Sequence, residues 1–299
     1  MTNLYGILPA LITPFDQECR VNEKSLEALL ERLYGAGVHG VYVCGQTGEG
    51  LLQTSEQRKR VAEIAVANSP KGKQVVVHTG AYRPEEALEL TRHASKIGAA
   101  AVSSLPPMGA YSFAEARAYY REIAATSTIP VLLYFFPEIC PAIQTVEQII
   151  ELTQIPNIVG LKFTDHNVYN LGTLKETGKL VFNGRDEILA AGLLMGADGG
   201  VGTFYNLIPG LFVSLFELTR QGEWQKARVL QKKINGLIRS TLRFPMLQAV
   251  KQVLTWSGID CGPCLAPRQP LATGEQRQLR ESLAQSGCEH DIPALPVVA

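Results

Sequence analysis

One feature constrains this chain more than any other, an alternation that runs from the N-terminus to about residue 220. Segments rich in β-branched and apolar residues alternate with segments whose apolar residues recur at helical spacing, the pattern of repeated βα units around a parallel sheet. Strands are predicted at residues 5–12, 39–44, 74–78, 99–103, 130–135, 157–163, 180–183 and 198–202. Their near-continuous apolar character fits strands covered on both faces, as parallel strands are.

The intervening helices carry their own start and stop signals. Asn22 stands as an N-cap ahead of Leu26, Leu29, Leu30 and Leu33, one face of a helix expected to end at Gly35. Thr54 with Gln57, Ser112 with Glu115, and Thr145 with Gln148 have capping-box spacing, and Pro84 sits where a first helical turn accepts proline. Open doubly wound sheets usually stop at about five or six strands, whereas eight βα units can close on themselves. The expected fold is therefore an α/β chain forming a (β/α)8 TIM barrel. Residues 1–222 are assigned to the catalytic barrel and 223–299 to a C-terminal helical appendage packed on it. That appendage shows helical patterns near 223–240, 245–257 and 274–286, with a Gly/Pro-rich turn at 258–272.

Composition removes several classes. Hydrophobic residues make up 46% of the 299 and charged residues 19%, which excludes disorder. With 28 basic and 28 acidic side chains there is no net positive field to hold a phosphate backbone or an anionic bilayer. Neither nucleic acid nor a membrane is an expected partner. The longest strongly apolar stretch, residues 131–136, is far short of the ~18 needed to span a bilayer. The N-terminal Met1-Thr2-Asn3-Leu4-Tyr5 shows no charged region and no cleavage pattern, so the expected location is intracellular, in the cytoplasm. Six cysteines, at 19, 44, 140, 261, 264 and 288, are too scattered for a disulfide framework, and reduced thiols are expected.

A barrel places its chemistry at the C-terminal ends of the strands. The second predicted strand ends in Gly45-Gln46-Thr47-Gly48-Glu49-Gly50, the fifth carries Tyr134, and the sixth carries Lys162 and then Thr164. The seventh runs into Gly184-Arg185-Asp186-Glu187 and the eighth into Thr203. Lys162 is flanked by Ile158-Val159-Gly160-Leu161 and Phe163, and desolvation in such a strand moves an ammonium pKa from ~10.4 towards neutrality. A neutral amine is a nucleophile for carbonyl carbon. The alternative is a barrel-mouth lysine paired with Asp186 or Glu187. Tyr134 reads either as a proton relay or as an interior aromatic with a satisfied hydroxyl. The glycine-rich run offers backbone N–H groups and the Thr47 hydroxyl as a small anion nest, or else is a tight turn into the Thr54-capped helix. It has neither P-loop nor G-x-G-x-x-G spacing.

Taken together, Gly6 through Thr13-Pro14, the Gly-Gln-Thr-Gly-Glu run at 45–49, Tyr134 with Pro137, Gly160-Leu161-Lys162-Phe163-Thr164, and the glycine-rich run at 196–202 resemble the dihydrodipicolinate synthase / N-acetylneuraminate lyase family. The resemblance covers nearly the whole chain. It implies a class I pyruvate-dependent aldolase that needs no cofactor or metal. Lys162 would form the Schiff base with a 2-keto acid, and Tyr134, hydrogen-bonded to Thr47, would relay protons. The backbone around Gln46 and Thr47 would hold the keto-acid carboxylate. The phrase Phe182-Asn183-Gly184-Arg185-Asp186-Glu187 looks most like the neuraminate lyase branch, which nominates Gly184, Asp186, Glu187, Thr203 and Thr164 as contacts for substrate hydroxyls. The implied reaction cleaves an N-acetylneuraminate-like sugar acid to pyruvate and an aldehyde sugar. Alternatives are a 2-keto-3-deoxy sugar acid aldolase or dehydratase, and a pyruvate-binding protein without turnover. The family also implies a homo-oligomer, commonly a tetramer.

Some positions depart from the family pattern. Gln46 stands where Ser or Thr is usual, and Phe135 follows the tyrosine where Asn is usual. Met108 aligns with an aromatic hydroxyl that many members lend to a neighbouring subunit, with Tyr111 nearby. No arginine appears in Pro137-Glu138-Ile139-Cys140-Pro141, where the dihydrodipicolinate synthases hold the carboxylate of their aldehyde substrate, which disfavours that activity. Cys261-Gly262-Pro263-Cys264 has redox-motif spacing but follows a predicted helix rather than opening one. With Cys288 and His290 it makes an awkward zinc chelate. His166, in the loop after Lys162, is expected to face solvent.

Overall fold

The computed structural model describes residues 4–296. Eight parallel strands form one sheet in the order β1-β8-β7-β6-β5-β4-β3-β2. They are β1 (Gly6–Pro9), β2 (Gly40–Val43), β3 (Gln74–His78), β4 (Ala101–Ser104), β5 (Val131–Phe135), β6 (Ile158–Phe163), β7 (Leu180–Asn183) and β8 (Gly199–Gly202). The remaining edges meet through a parallel bridge between Ala10 and Tyr42 and through the Leu11 N–H, which donates to the Tyr42 carbonyl at 2.8 Å. The sheet is thus a TIM barrel, as expected.

The outer ring comprises α1 (Glu23–Gly35), α2 (Ser55–Ala67), α3 (Pro84–Lys96), α4 (Phe113–Thr126), α5 (Val146–Thr153), α6 (Val168–Lys175), α7 (Leu189–Leu194) and α8 (Pro209–Arg220). Asn22 caps α1 by accepting from the Ser25 N–H, and all three predicted capping boxes are present. One stop signal lies elsewhere than expected. Gly35 is still helical, and the left-handed residue that ends the turn is Gly37 at φ 90°.

Strand side chains divide between two apolar clusters. Leu8, Tyr42, Val76, Leu132, Tyr134, Phe182 and Val201 fill the barrel interior, while Leu133, Phe135, Leu161 and Phe163 pack outwards with the helices. One irregularity decides which residues face the mouth. Val131 pairs with Ile158, but Leu132 pairs with Gly160, so Val159 is an extra residue on β6. From there on Tyr134 is opposite Lys162, whereas an unbroken register would have set it opposite Leu161.

After the barrel come α9 (Trp224–Thr241), α10 (Met246–Trp256) and α11 (Thr273–Gln285). Helix α9 lies along α8 and reaches the turn after β7. Gln231 donates to the Asp186 carbonyl at 3.1 Å and Asn235 donates to the Glu187 carbonyl at 2.9 Å. Among the described residues no helix is long and apolar enough to cross a membrane.

Candidate active site

A cavity of about 340 Å³ opens at the C-terminal ends of the strands. All nine residues singled out from the sequence line it: Gln46, Thr47, Tyr134, Lys162, Thr164, Gly184, Asp186, Glu187 and Thr203. At its floor, β6 presents Lys162 into the interior, where the side chain is almost wholly buried. Its Nζ donates to the Tyr134 hydroxyl at 3.1 Å and sits 4.2 Å and 4.7 Å from the ring centroids of Tyr134 and Tyr42. Among the described residues no carboxylate lies within ion-pair distance of it.

Burial lowers the Lys162 pKa from its usual 10.5 to about 7, with the Asp186 charge opposing the shift and the Arg185 charge adding to it. Near neutral pH a substantial fraction of the amine is therefore unprotonated. Burial also pushes the Tyr134 phenol well above its usual range, so it stays a neutral O–H that both donates and accepts. His78, edge-on to Tyr134 at 5.8 Å, is fixed from both sides. Its Nδ1 faces the Cys44 carbonyl at 3.0 Å and its Nε2 accepts from the Leu105 N–H at 3.2 Å, which assigns the neutral imidazole. Burial lowers its pKa as well.

The second wall is the turn after β2. The Glu49 N–H donates to the Gln46 carbonyl at 3.1 Å and the Gly50 N–H to the Gly45 carbonyl at 3.0 Å. Among the described residues no acceptor takes the N–H of Gln46 or Thr47, which leaves two main-chain donors on a wall of the cavity. The Thr47 hydroxyl, expected on Tyr134, pairs instead with that of Thr203 at 2.6 Å. That contact joins the loops after β2 and β8, which the closed barrel makes neighbours on either side of β1.

The third wall carries acid groups. The Phe204 N–H donates to Asp186 Oδ2 at 2.7 Å, yet burial dominates and raises the Asp186 pKa from 3.8 to about 7. Glu187 is more open and faces His166, whose Nε2 is 2.8 Å from Oε1. Two glycines make this wall possible. A Cβ on Gly202 would come 2.0 Å from Asp186 Oδ1, and one on Gly184 would come 2.1 Å from Thr164 Oγ1. That Thr164 hydroxyl is buried and faces the Tyr134 hydroxyl.

Several lining residues escaped the sequence reading. Phe136 stacks on Tyr134 at 6.1 Å, and the Arg185 guanidinium lies 5.4 Å from the Phe136 ring while pairing with Glu138. Met246, Leu247 and Arg268 come from beyond the barrel. Phe135, a departure from the family pattern, points away from the cavity and stacks on Phe163 at 5.3 Å, so its side chain does not line the site. Met108 packs against the interior cluster, and Tyr111 is exposed. Cys261 follows α10 and is buried.

The dihydrodipicolinate synthetase family model matches residues 3–286. An N-acetylneuraminate lyase of Rhizobium meliloti is 34% identical over 286 residues, covering 94% of this chain and 95% of that protein. An Escherichia coli N-acetylneuraminate lyase is 33% identical over 291 residues, covering 95% and 97%. Among solved structures, the Ruminococcus gnavus sialic acid aldolase superposes with a TM-score of 0.91 at 26% identity, covering 96% and 97%. A prophage protein of the dihydrodipicolinic acid synthase family from E. coli K12, in complex with pyruvate, superposes with a TM-score of 0.90 at 28% identity, covering 95% and 98%.

Proposed function

Because the chain belongs to the dihydrodipicolinate synthetase family, we propose that it is a class I, pyruvate-dependent carbon–carbon lyase that splits an N-acetylneuraminate-like 2-keto sugar acid into pyruvate and an aldehyde sugar. The observation that carries this reading is the amine of Lys162, buried, titrating near 7 and in contact with the Tyr134 hydroxyl at the floor of the cavity.

In this reading the Lys162 amine attacks the C2 keto carbon and the carbinolamine loses water to give an imine. The protonated imine draws electrons from the C3–C4 bond while the C4 hydroxyl gives up its proton, so C4 leaves as the aldehyde and C3 becomes an enamine carbon. Protonation of C3 and addition of water then release pyruvate and restore the amine. The electron sink forms from substrate and lysine alone, so no added cofactor is needed. Tyr134 carries the proton between these steps, and the N–H groups of Gln46 and Thr47 hold the keto-acid carboxylate. Asp186, Glu187, Thr203 and the buried Thr164 hydroxyl receive the hydroxyls of the sugar tail, and Gly184 provides the close approach. A carboxylate accepts several such bonds at once.

The test is reductive trapping with pyruvate, followed by mass analysis of the modified peptide. An adduct on Lys162 supports the reading, and an unmodified Lys162 overturns it. A panel of N-acetylneuraminate and 2-keto-3-deoxy sugar acids, assayed for pyruvate release, then identifies the substrate. Dehydration without pyruvate release would replace the lyase with a dehydratase, and binding without turnover would replace it with a pyruvate-binding protein.

A further inference from the structure

A charge cluster with a buried Lys251–Glu49 pair, reaching the cavity wall at Arg268, joins the turn after β2 to the C-terminal helices. Glu49 ends that turn with a left-handed backbone, φ 56°, and its carboxylate is fully enclosed. Lys251, on α10, places Nζ 2.8 Å from Glu49 Oε1, and Arg268 places Nη1 3.5 Å from Oε2. The Leu265 N–H also donates to Oε2, at 2.8 Å. Lys251 is itself nearly inaccessible, at 3% side-chain exposure. It donates to the Pro263 carbonyl at 2.8 Å and lies 4.4 Å from the Phe15 ring centroid.

Stability alone is a poor reason for such a cluster, because well-packed apolar side chains often replace a buried ion pair with no loss. What the pair supplies is direction. Gln46 and Glu49 are the two ends of one hydrogen-bonded turn, so a displacement of Glu49 passes to the backbone of Gln46 and Thr47.

We propose that Lys251 is a positioning residue for keto-acid binding, which through Glu49 holds the Gln46 and Thr47 N–H groups where a carboxylate is received. The role rests on the assignment of those N–H groups to the pyruvate carboxylate made under the proposed function.

The experiment is pyruvate trapping by the full-length protein as a function of pyruvate concentration, comparing the parent, Lys251→Met and the double variant Lys251→Met/Glu49→Gln. The single variant leaves the buried carboxylate with only Arg268 and the Leu265 N–H, and loses stability. The double variant removes both charges, and its thermal midpoint separates folding from positioning. Both variants are expected to need about tenfold more pyruvate for half-saturation, the size of one well-oriented contact. Trapping at saturating pyruvate and its pH midpoint should match the parent. Should the double variant half-saturate at the parent's pyruvate concentration, or lose trapping at saturation instead, the positioning role is overturned. A parent that traps no pyruvate would remove the Schiff-base reading and this role together, whereas a trapping parent with unaltered variants removes this role alone.

Discussion

The Nζ of Lys162 lies 3.1 Å from the hydroxyl oxygen of Tyr134, and the two residues are register partners across β5 and β6. The proposed nucleophile and the proposed relay are therefore held by adjacent strands of the barrel wall, not by loops. Rigid placement of this kind keeps the amine close to the Tyr134 hydroxyl before any ligand arrives.

With the Lys162 pKa near 7, the rate of adduct formation with pyruvate should climb as pH rises towards that value and level off above it. Below it, each pH unit removes about tenfold of the neutral amine. Initial rates of trapping across this range measure the midpoint. A rate still climbing steeply through pH ~9 would mean a lysine with its ordinary pKa.

Tyr134→Phe removes the hydroxyl and keeps the ring that packs against Tyr42 and Phe136. The expected result is a folded protein whose kcat falls by about 10²–10⁴, the usual contribution of a positioned proton carrier. Circular dichroism and steady-state kinetics on the same sample separate loss of fold from loss of chemistry.

Glu187→Gln keeps the shape of the side chain beside His166 and removes the carboxylate charge. KM for the sugar acid should rise by about fivefold to thirtyfold, equivalent to ~1–2 kcal/mol of lost charge-assisted bonding. The half-saturating pyruvate concentration in trapping should not move. A shift in pyruvate affinity with an unchanged sugar-acid KM would remove Glu187 from the tail site.

Gly202→Ala places a methyl group where Asp186 Oδ1 now lies, 2.0 Å from the added carbon. Either the carboxylate moves or β8 does. Chemical denaturation should show a loss of about 1–3 kcal/mol from overpacking, with a higher KM for the sugar acid. A variant with unchanged stability and unchanged KM would mean that the position of the Asp186 carboxylate is immaterial to the tail site.

The barrel was legible because its signals are local. Apolar runs separated by Thr54, Ser112 and Thr145 caps mark each βα unit without any long-range information. Lys162 stood out for the same reason, as a lone charge inside Ile158–Phe163. Contacts across the barrel left no such trace. The Thr47–Thr203 pair joins residues 156 apart in sequence, and it displaced the Thr47–Tyr134 bond implied by resemblance. The extra residue at Val159, which sets Tyr134 opposite Lys162, has an ordinary strand composition around it. Arg185 and Phe136 read as loop residues until the fold stacked one over the other. The C-terminal helices were recognisable by period, but nothing in that period assigned Gln231, Asn235 or Lys251 to the loops they hold.

Those last three contacts bear on when the site is completed during synthesis. Lys162 and Tyr134 are synthesised well before residues 231, 235 and 251, which hold the loops after β7 and β2 from outside. The strands that carry Lys162 and Tyr134 are therefore made before the residues that brace the loops around them, and those loops gain their outside support last.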